Sequence, residues 1–448
     1  MQTIREHSVL SPLFCEYFSV TDHKEAILSC YTYAADVNDK GVILYSFVSD
    51  AIVWLSNDEY GILSDMDFGN GKNAELFKEL RDNGYFVKKG TDELAIQEKH
   101  RKQMGDAQTN TLKVVILPTT ACNANCRYCI GENNQKQSMS VATAHKVAEY
   151  IAGASKDYNS IRLDWYGGEP LLKKDLITLI CKELKERVPD KKYSSVITSN
   201  LSLLEDRDFE ETVKIWNIQK INITIDGTEK EHNYRKSYSQ KGFNGYLHTL
   251  KCIRTFLSHG IRVFCRFNID RDNIDQLTNV VAAIKEFSND ELFYFFVSPL
   301  RGDDCHDEFF SVDEYESVFY RSGTALNELG IHNAVDSFVP KAMQGFCLAK
   351  NKNCFVIGPS GNLYRCNLDD LSDSNSVGTV FEGVKRNAIY EVYMNLGLDT
   401  ECKTCRFLPI CQGGCPVQDK YKSSSNTKCD KFKFKIKAIS RLLVQYYI

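Results

Sequence analysis

The stretch Pro118-Thr-Thr-Ala-Cys122-Asn-Ala-Asn-Cys126-Arg-Tyr128-Cys129-Ile130 follows directly on the apolar run Val-Val-Ile-Leu at 114–117 and places three cysteines in a C-x3-C-x2-C array. Cysteine thiolates ligate iron–sulfur clusters, and four of them close a cubane. Three within eight residues hold three irons and leave the fourth open to a small molecule. A zinc knuckle or a disulfide pair is the other reading of clustered cysteines. Zinc, however, takes paired C-x2-C units or Cys/His sets, and no histidine lies near this loop.

The chain around this loop has 448 residues, 43% hydrophobic and 25% charged, enough for two or three domains with a sizeable core. Its net charge of -4 and pI of about 6.2 offer no basic field for nucleic acid or an anionic membrane surface. No signal-like apolar segment opens the sequence, and no window approaches the roughly 18 apolar residues of a membrane span. A cytoplasmic protein is expected, and there 17 cysteines point to metal or redox chemistry more than to disulfides.

From 111 to 300, short apolar runs alternate with longer amphipathic stretches, which predicts repeated βα units and a parallel sheet. Strands are expected near 114–117, 161–165, 194–197, 221–225, 263–267 and 292–296, with helices near 140–153, 171–187, 206–216, 245–258 and 274–287. Six such units fit a partial (β/α)6 barrel, whose function gathers at the C-terminal strand ends. The second strand is followed there by Gly167-Gly168-Glu169, two glycines that permit close backbone approach and a carboxylate that can accept from an ammonium.

With the aromatic Tyr128 just before its last cysteine and a strand before its first, the loop resembles the signature of the radical S-adenosylmethionine enzymes. The resemblance implies a TIM-like partial barrel and a 4Fe-4S cluster on Cys122, Cys126 and Cys129, whose open iron chelates S-adenosylmethionine. It also implies that reductive cleavage of the cofactor yields methionine and a 5'-deoxyadenosyl radical. In that family the segment matching Gly167, Gly168 and Glu169 contacts the cofactor's amino group. Thr224 stands where a hydroxyl contacts the cofactor, and Arg235 where an arginine binds its polar groups; Tyr128 joins this set. The sequence names no catalytic base.

Between 346 and 430 lie Cys347, Cys354, Cys366, Cys402, Cys405, Cys411, Cys415 and Cys429, with Gly361 completing a C-x13-G-x4-C pattern. This region resembles the SPASM domain of peptide- and protein-modifying radical enzymes. The resemblance implies one auxiliary 4Fe-4S cluster on Cys347, Cys354, Cys366 and Cys415 and another on Cys402, Cys405, Cys411 and Cys429. Two structural zinc sites are the competing reading of these eight thiols. Cys15, Cys30, Cys181, Cys252 and Cys265 stand in apolar or helical context and are expected to be buried.

Residues 1–100 read as a small α+β domain whose close, N-G-Y-F-V-K-K-G-T-D-E-L, resembles the winged-helix-like domains that grip a leader peptide. A structural or dimerising domain is the alternative. Residues 101–110 read as a polar linker, 301–345 as a connecting segment, and 431–448 as a terminal helix. Together these features predict a maturase that oxidatively modifies or crosslinks a ribosomally made peptide, with flavodoxin or ferredoxin as reductant. An anaerobic sulfatase-maturating enzyme is the nearest alternative, but those enzymes carry an aspartate where this chain has Asn367, which cannot accept a proton. A non-catalytic metal-binding or electron-transfer protein is the alternative of another class.

Overall fold

The runs at 42–47 and 52–55 are rich in β-branched and aromatic residues, which suit a pleated, half-buried surface. The computed structural model describes residues 1–6, 20–37, 39–69, 71–106, 110–129, 135–300, 310, 314–328, 330–331, 338–343, 345–395, 397–417 and 430–448. Its N-terminal strands are β1 (Gln2–Arg5), β2 (Ala26–Leu28), β3 (Thr32–Asp36), β4 (Val42–Ser46), β5 (Ile52–Leu55) and β6 (Phe86–Lys88). They form an antiparallel sheet of order β1-β5-β4-β3 and a separate β2–β6 pair. A helix at Asn57–Asp65 starts at Ser56, which forms a capping box with Glu59, and a second spans Gly71–Asp82. Leu63, Leu76, Phe77 and Leu80 of these helices fill a small core with Phe68 and Phe86.

The polar segment 101–110, expected as a linker, is instead helical through Asp106, as the end of a helix that begins at Glu93. Arg101 explains the difference. It is buried and donates to the backbone carbonyl of Gln412, so its polarity serves a long-range contact rather than solvation.

The alternating middle of the chain forms six parallel strands: β7 (Thr111–Ile116), β8 (Ser160–Trp165), β9 (Lys192–Thr198), β10 (Ile218–Ile225), β11 (Arg262–Ile269) and β12 (Phe293–Pro299). They lie side by side in chain order. Ile161, Leu163 and Trp165 of β8 are buried in the same core as Ile177, Ile180 and Leu184 of the helix Lys174–Arg187. The alternate residues Arg162, Asp164 and Tyr166 are only half-buried, as the two-residue period of a strand requires.

One feature could not be read from the pattern. Strand β13 (Cys354–Ile357) adds to the sheet as a seventh parallel strand, pairing Cys354 with Lys113 and Ile357 with Ile116, and β14 (Leu363–Tyr364) turns back against it. Gly361 makes that turn at φ 87°, a conformation L side chains rarely adopt. The cysteine-rich region is thereby hydrogen-bonded to the strand that carries the three-cysteine loop.

The terminal helix Asp430–Tyr447 packs on the helix Tyr315–Glu328, where a Cβ on Gly323 would lie 2.2 Å from Leu442. Cys181, Cys252 and Cys265 are buried as expected, whereas Cys30 is exposed, because its turn after β2 faces outward. Cys15 and Cys429 lie outside the described residues. Among the described residues, no helix is long and apolar enough to cross a membrane.

Candidate active site

The three-cysteine loop leaves the C-terminal end of β7 and is clamped from two sides. On the first side, Gly168 N donates to Thr119 O at 3.1 Å and Glu169 N donates to Ala121 O at 2.9 Å. A Cβ on Gly167 would lie 2.2 Å from Thr119 O, and one on Gly168 would lie 2.2 Å from Ala121 O. These glycines are thus needed for approach to the loop's own backbone.

Glu169 is buried, and its carboxylate accepts from the Ser199 hydroxyl at 2.7 Å, Asn200 N at 2.8 Å and Leu171 N at 3.0 Å. Burial pushes its carboxyl above the usual range against these donors, so an arriving ammonium would favour the charged form. Asn200 also donates to Asn123 at 3.0 Å and stands 4.0 Å from Cys122 Sγ. The Thr198-Ser199-Asn200 end of β9, to which the sequence assigned no role, therefore orients both the carboxylate and the loop. Its place at a strand end was the available signal.

On the second side, the turn after the helix Glu229–Lys236 receives Asn125 N on Lys236 O at 3.0 Å and Arg127 N on Arg235 O at 3.4 Å. Beneath this contact lies a buried network that the sequence did not reveal. Lys236 Nζ donates to the Tyr128 hydroxyl at 2.9 Å and to Thr224 Oγ1, and pairs with Asp226 at 3.1 Å. Tyr128 in turn donates to Asp226 at 2.5 Å, and Asn268 supplies a further donor at 3.1 Å. Burial opposes both charges, yet Lys236 holds the Asp226 carboxyl below its usual range and Asp226 holds the ammonium above its own.

The expected cofactor contacts are placed as follows. Tyr128 and Thr224 are joined through Lys236, and Glu169 stands on the opposite side of the loop. Arg235 is buried and bound to Asp270 through both terminal nitrogens, with Glu231 at 3.6 Å. Only its Nε lacks a hydrogen-bond partner among the described residues.

His232 lies between Asp226 N and the Tyr238 hydroxyl, each at 3.3 Å. Burial pushes its imidazole down to about 3. Between its usual value of about 6.5 and that value, the unfolded chain binds a proton that the folded protein refuses. Stability is therefore expected to fall as pH drops below about 6.5, by roughly 1.4 kcal/mol per pH unit. Urea unfolding from pH 7 to pH 5 should show at least this slope, and His232→Gln should reduce it, leaving the share of His100, which burial also lowers.

Burial pushes the Cys122 thiol up to about 11, with the charges of Glu169, Cys126 and Cys129 adding to the effect, and burial raises that of Cys126, with Asp226 and Cys129 adding and Lys236 opposing. Metal binding here must therefore expel protons. Among the described residues, no three Cys, His or carboxylate groups close on a single metal ion. A cubane places each thiolate on a different iron and tolerates a wider spacing. Three thiols on one loop, beside the carboxylate of Glu169, are the donor chemistry that suits such a group with one open iron.

In the C-terminal region Cys347 is near enough in charge to affect both Cys354 and Cys366, and Cys415 also bears on Cys366. Cys402 lies in the short helix Thr400–Lys403, Cys405 N donates to Cys402 O at 3.2 Å just after it, and Cys411 ends the next short helix, Leu408–Cys411. Tyr166 bridges the two regions, since the charges of both Cys129 and Cys366 bear on its hydroxyl. Asp369, which could have replaced the missing base beside Asn367, receives the Tyr393 hydroxyl in a buried bond.

A sheet of parallel strands carries at its C-terminal end three cysteines, a glycine-glycine-carboxylate turn and a buried Lys236–Asp226 network. The family model of the Radical SAM superfamily matches residues 116–283, and the chain carries a radical SAM domain. Such a domain implies S-adenosylmethionine and a 4Fe-4S cluster. The radical SAM cyclopropyl synthase TigE of Paramaledivibacter caminithermalis is 20% identical over 480 residues, covering 93% of this chain and 96% of that protein. A cysteine-type anaerobic sulfatase-maturating enzyme of Clostridium novyi is 24% identical over 387 residues, covering 74% and 96%. Streptococcus suis SuiB, solved with its precursor peptide SuiA, has a similar fold at a TM-score of 0.51 and 17% identity, covering 90% of this chain and all of that one. The chain thus resembles radical SAM maturases along most of its length.

Proposed function

We propose that the protein is a radical SAM peptide maturase that oxidatively modifies or crosslinks a ribosomally made precursor, with two auxiliary clusters beside the radical site. The observation that carries this reading is β13, which fixes the second cysteine field to the strand bearing the three-cysteine loop. When bound, the 4Fe-4S cluster and S-adenosylmethionine supply a 5'-deoxyadenosyl radical. Cys122, Cys126 and Cys129 would hold that cluster, Glu169 would receive the cofactor's ammonium, and Thr224, Tyr128 and the Arg235 Nε would line its remaining polar groups. Cys347, Cys354, Cys366 and Cys415 would hold one auxiliary cluster, and Cys402, Cys405, Cys411 and Cys429 the other.

The N-terminal domain supports a peptide substrate. Edge strand β3 borders a groove of about 620 Å³, lined by Ile27, Leu28, Tyr60 and Leu63 and edged by Lys24, Lys89 and Arg406. An extended leader peptide with apolar and acidic side chains can add to such an edge. The precursor peptide bound to SuiB points the same way for that protein. Sulfatase maturation is the second reading, favoured by the Clostridium novyi relative and weakened by Asn367 and the occupied Asp369.

Anaerobic reconstitution is expected to give about 12 irons per chain, from three 4Fe-4S clusters. Dithionite should then release 5'-deoxyadenosine from S-adenosylmethionine. A precursor peptide should lose two hydrogens, whereas exchange of a cysteine thiol for an aldehyde would mark the second reading. Iron near zero, or an intact cofactor, would refute both.

A further inference from the structure

The parallel sheet has two unlike faces. Ile221, Ile223 and Ile225 of β10 and Val263, Cys265 and Phe267 of β11 are buried in the core shared with the surrounding helices. Their alternates face the other way, because successive side chains of a strand point to opposite sides. On that second face the register sets Lys220 beside Arg262, then Asn222 beside Phe264 and Tyr294, then Thr224 beside Arg266. The face thus runs from two cations near the N-terminal ends of the strands to the proposed cofactor contact Thr224, about 13 Å further along β10.

Like charges on laterally paired residues repel each other. Asp164 lies in the same row two strands away, but Arg162 holds it at 2.8 Å and 3.1 Å. Among the described residues, no carboxylate pairs with Lys220 or Arg262, and neither side chain reaches a hydrogen-bond acceptor. Lys220 instead lies over Phe264, its ammonium 4.4 Å from the ring centre, and Phe264 stacks on Tyr294 with centroids 4.7 Å apart. Tyr294 is 39% exposed, so the stacked rings form an open ledge rather than part of the core. Burial, with the charges of Arg162 and Arg262 adding and that of Asp164 opposing, lowers the Lys220 ammonium from its usual range.

We propose that this face is a substrate subsite, in which Lys220 and Arg262 take a side-chain carboxylate of the precursor peptide and the Phe264–Tyr294 ledge carries apolar residues between it and the reacting carbon. This rests on the peptide-maturase reading above. An extended peptide advances about 3.3 Å per residue, so the acidic residue falls about four positions from the modified one. The subsite is separate from the groove that β3 borders, which is lined by other residues. A net charge of -4 on the chain disfavours a nucleic-acid backbone as the occupant.

The test is selection from a display library of random short peptides on the reconstituted full chain with S-adenosylmethionine, with urea unfolding alongside. Wild-type protein is expected to enrich Asp and Glu. Lys220→Gln/Arg262→Gln should reduce that enrichment by at least about tenfold, through loss of charge-assisted hydrogen bonds, and Lys220→Arg/Arg262→Lys should keep it. The glutamine variant should also be no less stable than wild type, since it removes a repulsion and breaks no ion pair. Lower stability would show that the two cations are paired within the fold, and overturns the inference. Equal acid enrichment in wild type and glutamine variant overturns it, as does enrichment of peptides with no acidic preference. A random single-stranded RNA retained more tightly than the enriched peptides gives the face to a phosphate backbone and overturns it too. No enriched peptide at all, in protein that still cleaves S-adenosylmethionine, removes the peptide-substrate reading and the subsite with it.

Discussion

Gly168→Ala is expected to cost the protein its radical chemistry while leaving its C-terminal region intact. The added Cβ would sit 2.2 Å from Ala121 O and 2.5 Å from Thr120 O, both backbone atoms of the three-cysteine loop. Neither side can yield by rotating a side chain. Glu169 N is bonded to Ala121 O, and the Glu169 carboxylate is bonded to the end of β9. Relief of the clash therefore moves the loop by roughly 1 Å, a displacement that can lower a rate by about 100-fold when reacting groups must be held in line. On the three-cluster proposal, iron should fall from about 12 to about 8 per chain, the proposed auxiliary content alone. Formation of 5'-deoxyadenosine should drop by at least about 100-fold. Wild-type iron and rate in this variant would show that the loop is not clamped by the glycine turn.

Lys236→Met is expected to be the most destabilising single change near the site. It leaves Asp226 buried without its cation and removes the donor that ties Tyr128 to Thr224. Breaking a buried pair from one side costs about 3–5 kcal/mol, because the remaining charge has neither water nor a partner. Replacing both charges avoids that penalty, so Lys236→Met/Asp226→Asn should recover most of the stability. Urea unfolding of the single and double variants measures the difference, and a double variant no better than the single would exclude the charge explanation.

The pH behaviour of the pair follows from the two directions of shift. The contribution of Asp226, held low, is present above the usual carboxylate value and lost only as pH falls through its lowered one. That of Lys236, held high, is lost only as pH rises past its own. Between about pH 4 and about pH 10 the pair should therefore contribute a constant amount. The acid sensitivity that begins below about pH 6.5 belongs to His232 and to His100, whose imidazole burial also lowers.

Much of this was legible because periodicity and spacing are local properties. The two-residue and 3.6-residue periods placed all six parallel strands and the five longer helices between them within a few residues, and missed the short polar helix Glu229–Lys236. The cysteine spacings marked both thiol fields. What escaped was charge that is buried. Arg101, Lys236 and Lys350 read as solvated polar residues in sequence, since a lysine facing water and a lysine facing an aspartate are written alike.

The sequence by itself determined that three thiols would gather at the end of a strand and that a glycine-glycine-glutamate turn would follow the next. Their spacing along the backbone leaves little freedom. Only the tertiary structure decided that Gly168 approaches the loop's own carbonyls, that Arg235 turns to Asp270, and that β13 joins the sheet beside β7. Each of these depends on groups distant in sequence being desolvated together, and desolvation is a property of the packed molecule rather than of the chain.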